Sequence, residues 1–512
     1  MKPLDSKTVE NTRERILDTI TSVTLTHEQK VSNLSGLAVS LMDVLDLPEH
    51  YLYYKDKGII CDLNEGNAPL RPRYIVPDYD LLFEKGCAFL KLSPPTDLQE
   101  ALNTLLIFYK HVPSVTNFPV YIGNLDTLLE PFVLKESYES AKKQLRLFLI
   151  HLDRTITDAF CHANLGPQAS VTGQIILELE RELQDAVPNM SIKYDPAVTP
   201  DDYAEEAIKT MLAVSKPAFA NHPMFVSELG ERYGIASCYN GLLIGGGAYT
   251  LVRVLLGRLA QTATDSKDFF ERVLPDCIET MASLMDERIK FIVEDSNFFE
   301  TNFLAQEGFI RKDNFSAMFG IVGLAECVND LMLKDGYTHA DRYGHSEIAD
   351  NLGIKIMDTI DAFNSTHHSE YCYGSGQHHL LHGQVGIETD SGQSPTVRIP
   401  IHDEPAELSD HLLHAAKFHH YFPSGTGDIF PVESTALKNP SFILDIIKGA
   451  FASGCRYLTF EDSNADVIRV TGYLAKRSEL EKLDGGDAVL QNTTYFGLGA
   501  AKESKILERK PR

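Results

Sequence analysis

The sequence lacks several features that would place it in a common functional class at once. None of its eight cysteines forms a C-x-x-C pair, so that a zinc knuckle and a dithiol redox motif are excluded. Positive charge is also scarce: the formal net charge is −25, which would repel nucleic-acid polymers and anionic membrane surfaces. No uncharged apolar run reaches the roughly 18 residues of a membrane span, and the first residues show no signal-peptide core. We therefore expect a soluble cytoplasmic protein, and the negative charge leaves an anionic small molecule open as a ligand.

Two further motifs are missing. The H-E-x-x-H metal motif does not occur, and the glycines at 245–247 are no dinucleotide fingerprint, because Thr250 stands where the last glycine is needed. Histidine, however, is concentrated between residues 367 and 420. This His-rich segment holds ten of the 18 histidines: His367, His368, His378, His379, His382, His402, His411, His414, His419 and His420. A metal site, a pocket acid or base, and plain packing all remain open for it.

The chain is organised as one large α/β unit. Apolar spacing predicts helices in residues 1–50, 134–162, 266–293 and 315–334. Strands separated by helices are indicated from "MSIKYDP" onward and again from 440 to 476, a rhythm typical of α/β architecture. No linker divides the 512 residues into independent domains, which favours a single large barrel.

The stretch "RVTGY" near the end of the chain places a glycine, Gly472, inside a strand pattern. By itself it reads as a strand that turns at Gly472. Glycine also has a second use, because an unpaired electron on its α-carbon is delocalised by the flanking amide and carbonyl. Without a side chain, that α-carbon can flatten and approach a buried partner closely.

The surrounding residues carry a resemblance. "VIRVTGYLA" is similar to the glycyl-radical signature at Val467, Arg469, Val470, Gly472, Tyr473 and Ala475, and departs from it at Thr471. Upstream, "MSIKYDP", a helix and "KPAFANHPMF" precede "GIASCYNG", an order that points to Cys238. From about residue 190 to 476 the chain resembles anaerobic ribonucleotide reductases, and as a whole it resembles the YjjI-type family of glycyl radical enzymes.

The resemblance implies a ten-stranded α/β barrel with a helical N-terminal region. We expect residues 1–165 to form that mainly helical region, 166–455 the barrel with the cysteine loop, and 456–512 the glycyl radical segment. It also implies that Gly472 stores a radical and converts Cys238 to a thiyl, which takes hydrogen from a small polar substrate. Arg469, Tyr473 and Asn240 are candidate supporting residues.

The same resemblance implies a partner and an environment. A separate radical S-adenosylmethionine activase with an iron–sulfur cluster would generate the oxygen-sensitive radical on Gly472 during anaerobic metabolism. We expect no metal ion in this chain. The substrate, the reaction subclass and the oligomeric state, a homodimer among the options, are left open.

The residues next to Cys238 differ from those of two groups of glycyl radical enzymes, the acyl-transferring enzymes and the dehydratases. Ser237 stands where acyl-transferring relatives carry a second cysteine, and Asn240 stands where dehydratases carry a glutamate base. An amide can orient a hydroxyl but cannot accept its proton. The four-cysteine zinc site of the reductases is missing too, since Cys455 alone lies near the radical loop.

Alternatives remain at this point. Cys327 is the rival thiyl residue, although its apolar helical surroundings favour a core role. The chain could act on a nucleotide as a reductase relative, or store the radical without turnover. It could also be a His-rich metalloprotein without radical chemistry, with His378 and His382 as ligands.

Overall fold

In the part of the chain that the structure describes, ten strands form two five-stranded sheets, and four more strands form two hairpins. A computed structural model describes residues 6–41, 44–63, 65–66, 68–115, 117–384, 390–503 and 505–511. The strands are β1 Ile60–Cys61, β2 Tyr74–Val76, β3 His162–Leu165, β4 Asn189–Tyr194, β5 Ala218–Asn221, β6 Tyr233–Ala236, β7 Asn240–Leu243, β8 Gly246–Leu255, β9 Phe315–Val322, β10 Leu380–Gly383, β11 Asp428–Val432, β12 Tyr457–Asp462, β13 Val467–Arg469 and β14 Leu474–Lys476.

The first sheet has the order β11–β12–β5–β4–β3, in which β5 and β12 are antiparallel and the other pairs parallel. The second sheet has the order β1–β8–β9–β10, with β2 also paired to β8. Here β8, β9 and β10 are parallel, whereas β1 and β2 run antiparallel to β8. The predicted ten-stranded α/β architecture is confirmed.

Helices surround both sheets and dominate the N-terminal region, as predicted. Residues 6–155 contain α1 Ser6–Thr21, α2 His27–Ser40, α3 Tyr51–Asp56, α4 Tyr79–Lys85, α5 Leu98–Tyr109, α6 Leu125–Val133 and α7 Tyr138–Thr155. The remaining helices are α8 Val171–Leu183, α9 Asp201–Val214, α10 His222–Leu229, α11 Leu256–Ala260, α12 Ser266–Asp268, α13 Leu274–Lys290, α14 Phe298–Thr301, α15 Phe303–Gln306, α16 Leu324–Lys334, α17 Glu347–Thr366, α18 Leu408–His419, α19 Pro440–Ala452, α20 Arg477–Asp484 and α21 Asn492–Glu503.

Helix starts follow local chemistry. Thr26 and Gln29 form a capping box at α2, and the Asp97 carboxylate accepts from the Glu100 amide at α5. Such caps satisfy backbone donors that have no partner within the helix. None of the described helices combines the length and the apolar character that crossing a membrane requires.

The predicted helix over 315–334 is wrong in its first half. Residues Phe315–Val322 form β9, and only Leu324–Lys334 form α16. Every residue of β9 is buried, since the strand lies between β8 and β10 and is covered on both faces. A strand of this kind gives a continuous apolar run without the period of two.

Strand β4 positions the site. Its sequence alternates polar Asn189, Ser191 and Lys193 with apolar side chains, and all six residues are buried. Because alternate residues of a strand point to opposite faces, the three polar side chains share one face. That face carries the contacts to both hairpins described below.

The division of the chain into residues 1–165, 166–455 and 456–512 stays a prediction.

Candidate active site

Cys238 lies at the tip of the cysteine hairpin, formed by β6 and β7. Ala236 pairs with Asn240, which leaves residues 237–239 as the turn. Ser237 has a positive φ of 57°. The turn is fixed on two sides: the Ser237 amide donates to Val120 O at 2.8 Å, and the Tyr239 hydroxyl donates to Gly383 O at 2.7 Å. The hairpin thus contacts the end of β10 in the second sheet.

Buried polar side chains of the first sheet hold the same turn from the other side. His162 Nδ1 donates to Ser237 O at 2.7 Å, while its Nε2 lies 2.8 Å from Ser191 Oγ. The Tyr457 hydroxyl lies 2.9 Å from Ser191 Oγ and donates to Cys238 O at 3.2 Å. Burial lowers the pKa of His162 to about 3, so that this ring is neutral. The network orients the turn and adds no charge to it.

The environment of Cys238 favours the neutral thiol. The side chain is 5% exposed and belongs to an apolar cluster with Ala218, Ala220 and Tyr239. Burial raises the pKa of the thiol to about 12. A thiolate is the nucleophilic form of cysteine, whereas an S–H group can give up a hydrogen atom. This cysteine is therefore suited to hydrogen-atom transfer more than to nucleophilic attack.

Gly472 lies in the turn of a second hairpin, the glycine hairpin, formed by β13 and β14. Arg469 pairs with Leu474, and the Val470 amide donates to Tyr473 O at 3.0 Å. Thr471 and Gly472 form the two-residue tip, and both are buried. "RVTGY" therefore forms a strand and a turn, as its sequence predicts. Because this turn is buried, it is also compatible with a radical on the Gly472 α-carbon.

One side chain joins the two hairpins. Asn189 Nδ2 donates to Ser237 O at 3.2 Å and to Gly472 O at 3.0 Å. The backbone next to Cys238 and the carbonyl of Gly472 are therefore both within hydrogen-bond distance of a single amide group. The structure brings together the two residues that the sequence singled out, although they are far apart along the chain.

Arg469 and Tyr473 contact the glycine hairpin and its surroundings. Arg469 is fully buried: its Nη1 donates to Gly472 O at 3.3 Å, its Nη2 to Asn189 Oδ1 at 3.0 Å, and its Nε to Ser215 O at 2.9 Å. The Tyr473 ring lies 5.0 Å from that of Phe160.

Asn240, the third candidate supporting residue, begins β7. It is 1% exposed, and neither its amide nitrogen nor its oxygen has a hydrogen-bond partner among the described residues. A buried amide left without a partner costs free energy and needs an explanation, such as a bound molecule. Cys327, by contrast, lies on the buried face of α16, which packs against α11 and α17.

The His-rich segment is divided between several places. His382 is buried in β10, with its ring 5.8 Å from that of Tyr239 and its Nδ1 3.2 Å from Ser424 O. Burial lowers the pKa of His382 to about 3. His378 Nδ1 donates to His367 O at 2.8 Å, and His419 pairs with Asp428. His378 and His382, the ligand pair considered above, do not belong to the one group of potential metal ligands found among the described residues.

The C-terminal tail, residues 505–511, contacts the glycine hairpin. Arg509 Nη1 donates to Glu461 Oε1 at 2.8 Å and to Arg469 O at 2.9 Å, and its Nη2 lies 3.4 Å from Val470 O. Arg509 also lines a cavity of about 220 Å³ together with Arg398, His411, Pro431 and Ile506. The tail is thus both a wall of a cavity and a partner of the hairpin backbone.

Sequence reasoning missed Asn189, His162 and Arg509. For Asn189 a signal existed, since the period-two alternation in "NMSIKY" marks a polar strand face. Nothing in the sequence around His162 or Arg509 shows that their partners lie on the two hairpins, because those partners are far away along the chain.

Comparison with known proteins gives the family. The model of the family described as "Glycyl radical enzyme YjjI-like" matches residues 25–512. An uncharacterized protein of Haemophilus influenzae is 45% identical over 504 residues, covering 97% of both chains. The uncharacterized protein YjjI of Escherichia coli is 40% identical over 501 residues, covering 98% of this chain and 96% of its own.

Solved structures share the fold at low sequence identity. The anaerobic ribonucleotide reductase from Thermotoga maritima, in complex with dATP and CTP, matches with a TM-score of 0.71 and 14% identity, covering 95% of this chain and 100% of that one. Hydroxyproline dehydratase from Clostridioides difficile matches with a TM-score of 0.66 and 13% identity, covering 98% and 88%. With the family match over nearly its whole length, the chain belongs to the YjjI-like glycyl radical enzymes.

Proposed function

We propose that Gly472 stores the radical of this glycyl radical enzyme and that Cys238 is the residue that attacks the substrate. The observation that carries the proposal is the shared hydrogen-bond donor: Asn189 Nδ2 contacts both Ser237 O and Gly472 O. A radical can pass between two side-by-side turns only if they are held at short range and shielded from water and oxygen. Both turns are buried.

The hydrogen balance is simple. The Gly472 α-carbon radical takes the hydrogen atom of the Cys238 S–H bond, which leaves glycine intact and a thiyl on sulfur. The thiyl takes a hydrogen atom from a substrate C–H bond, the substrate radical rearranges or breaks, and the S–H group returns a hydrogen atom to the product radical. The raised pKa of Cys238 keeps the hydrogen on sulfur before each transfer.

Asn240 is the proposed substrate-orienting group. Its amide is buried two residues after Cys238 with both polar atoms free among the described residues. Such an amide can donate to and accept from one polar ligand, and it cannot remove a proton. We infer a small polar organic substrate with a hydroxyl or carbonyl group beside the C–H bond that reacts.

The cavity beside the tail is the proposed route for that substrate. It contains Arg398, whose charge acts to lower the pKa of Cys238, and Arg509, which contacts the glycine hairpin. A route bounded by the tail would open when the tail moves.

Activation is proposed to need a separate radical S-adenosylmethionine activase in the cytoplasm. Because Gly472 is buried, the glycine hairpin must leave its place for the partner to reach the α-carbon. S-adenosylmethionine and the iron–sulfur cluster would belong to that partner. The oligomeric state, with a homodimer among the options, stays a prediction to be tested.

Activation in D₂O tests the relay without knowledge of the substrate. The S–H hydrogen of Cys238 exchanges with solvent, so that reversible transfer places deuterium on the Gly472 α-carbon. We expect the electron paramagnetic resonance doublet, which comes from the remaining α-hydrogen, to collapse in D₂O for the native protein and for Cys327→Ser.

In Cys238→Ser the doublet should persist in D₂O, because an O–H bond is too strong to take part in the exchange. A collapse in Cys238→Ser that equals the native one, or a doublet that persists in D₂O in Cys327→Ser, would assign the relay to another residue.

A further inference from the structure

The strongest unassigned cluster lies outside the radical site and consists of Asp286, His367 and His379. Asp286 is on α13, His367 directly follows α17, and His379 directly precedes β10. Their potential ligand atoms all lie within 4.8 Å of one another. Three separate elements thus converge on one point, although no sequence motif links them.

Each imidazole presents its Nε2 to the same carboxylate. His367 Nε2 lies 2.7 Å from Asp286 Oδ2, and His379 Nε2 lies 3.0 Å from Asp286 Oδ1. Metal–ligand bonds of about 2.0–2.2 Å require ligand atoms roughly 3 Å apart, which is close to these separations. A cation could therefore enter between the three groups after small rotations of the side chains.

Neighbouring rings fix both imidazoles. The Phe363 ring stacks on His367 at 5.3 Å and 25°, and the Phe319 ring lies against His379 at 6.4 Å and 24°. Ligands whose orientation is held by packing lose little entropy when they bind an ion. His378 adds a further restraint, since it donates to the backbone carbonyl of His367.

The ring atoms that face the carboxylate are the ones a cation would use. Both imidazoles donate from Nε2 to Asp286, so that metal binding would move the ring hydrogen from Nε2 to Nδ1. His379 Nδ1 is buried without a partner among the described residues, so that Nε2 makes the polar contact of this ring.

Access is available from one side. The side chains of Asp286 and His367 are 32% and 22% exposed, whereas His379 is fully buried. Ser369 Oγ, which donates to Asp286 Oδ1 at 2.7 Å, is placed to serve as a further ligand. An open position for water or hydroxyl is a common feature of sites with two histidines and one carboxylate.

We propose that Asp286, His367 and His379 bind one divalent transition-metal ion of the Zn²⁺ or Fe²⁺ type. The N₂O ligand set selects such ions over Mg²⁺ and Ca²⁺, which prefer oxygen ligands alone. The ion would tie the start of β10 to α13 and α17. It is a structural site that takes no part in the hydrogen-atom transfers proposed above.

The full chain, stripped with a chelator under anaerobic conditions and titrated with Co²⁺, tests the proposal. We expect one equivalent to bind with visible ligand-field absorption, and Zn²⁺ to displace it and raise the unfolding temperature. Asp286→Asn and His367→Gln should each weaken Co²⁺ binding about tenfold or more, as loss of a ligand does. The matched control is His368→Ala, which removes an exposed neighbouring imidazole and should leave binding unchanged.

Two outcomes would overturn the proposal. One is the absence of a stoichiometric Co²⁺ complex in the native chain, which would leave a hydrogen-bonded triad alone. The other is equal Co²⁺ affinity in native protein, Asp286→Asn and His367→Gln, which would place the ion elsewhere. His367→Gln keeps the test valid if Asp286→Asn does not fold, because His367 lies at a partly exposed helix end.

Discussion

At the scale of single residues, burial fixes the chemical form of the key groups. Cys238 is a neutral thiol because its surroundings are apolar, and His162 is a neutral imidazole for the same reason. Hydrogen-atom transfer moves a proton and an electron together, so that a thiol that keeps its hydrogen is suited to it. Because burial raises the pKa of Cys238 to about 12, the thiol ionises only at strongly alkaline pH.

Cys238 should resist alkylation in the native protein. With a pKa of about 12, only about one Cys238 in 10,000 is a thiolate at pH 8, and the thiolate fraction grows as the pH rises towards 12. Mass spectrometry after iodoacetamide treatment should find Cys238 unmodified at pH 8 and modified once urea unfolds the chain. The partly exposed Cys61 serves as the internal comparison. Rapid native labelling of Cys238 at pH 8 would contradict the account.

Replacing Asn189 by alanine should loosen both hairpins. The change removes the donor to Ser237 O and Gly472 O and one acceptor of Arg469 Nη2, which keeps a contact of 3.5 Å with Met190 O. We expect a loss of about 2–4 kcal/mol in the free energy of unfolding. Hydrogen exchange of residues 467–476 should rise about tenfold or more, since local opening becomes less costly.

The control for this variant is Asn103→Ala, at an exposed position of α5. Its unfolding free energy and its exchange in residues 467–476 should match those of the native protein. Equal exchange in Asn189→Ala and native protein would show that the amide does not hold the glycine hairpin.

At the residue scale, the sequence singled out Gly472 and Cys238 as candidates, but it did not reveal the residues that contact their turns. Gly472 is marked by a local pattern, and Cys238 by the order of segments before it. Asn189, His162 and Arg509 act on backbone carbonyls of distant turns. A carbonyl group has no sequence identity, so that no residue pattern reveals such a contact.

At the scale of elements, the two hairpins and the tail form a layered arrangement. The cysteine hairpin is tied to both sheets, while the glycine hairpin is covered by Arg509 from the C-terminal tail. Strand prediction worked for β12 and β13, where β-branched and aromatic residues precede clear turns. It failed for β9, whose apolar run fits a helix and a fully buried strand equally well.

Arg509→Ala should make the glycine hairpin open more readily. The variant loses the ion pair with Glu461 and the donors to Arg469 O and Val470 O. We expect faster hydrogen exchange in residues 467–476 and faster radical formation with the activase, with little change in residues 233–243.

The matched control is Lys510→Ala, which removes an exposed cation from the adjacent position. Its exchange and activation rates should equal the native ones. Native exchange and activation rates in Arg509→Ala would show that the tail does not control the opening of the glycine hairpin.

At the scale of the whole molecule, burial separates both hairpin tips from bulk water, whereas dissolved oxygen can reach Gly472 when the glycine hairpin opens. Activated protein should therefore be stable without oxygen and should be cut in air at Gly472, where oxygen adds to the α-carbon radical. Mass spectrometry should detect a C-terminal fragment that begins near Tyr473. Gly472→Ala treated in the same way should stay intact; its cleavage would place the radical elsewhere.

The electron paramagnetic resonance spectrum of the anaerobically activated protein tests the central claim most directly. We predict an organic-radical doublet that changes when glycine labelled with ¹³C at the α-carbon is incorporated, is absent in Gly472→Ala, and is retained in Cys238→Ser. A signal of unchanged intensity in Gly472→Ala would contradict the account.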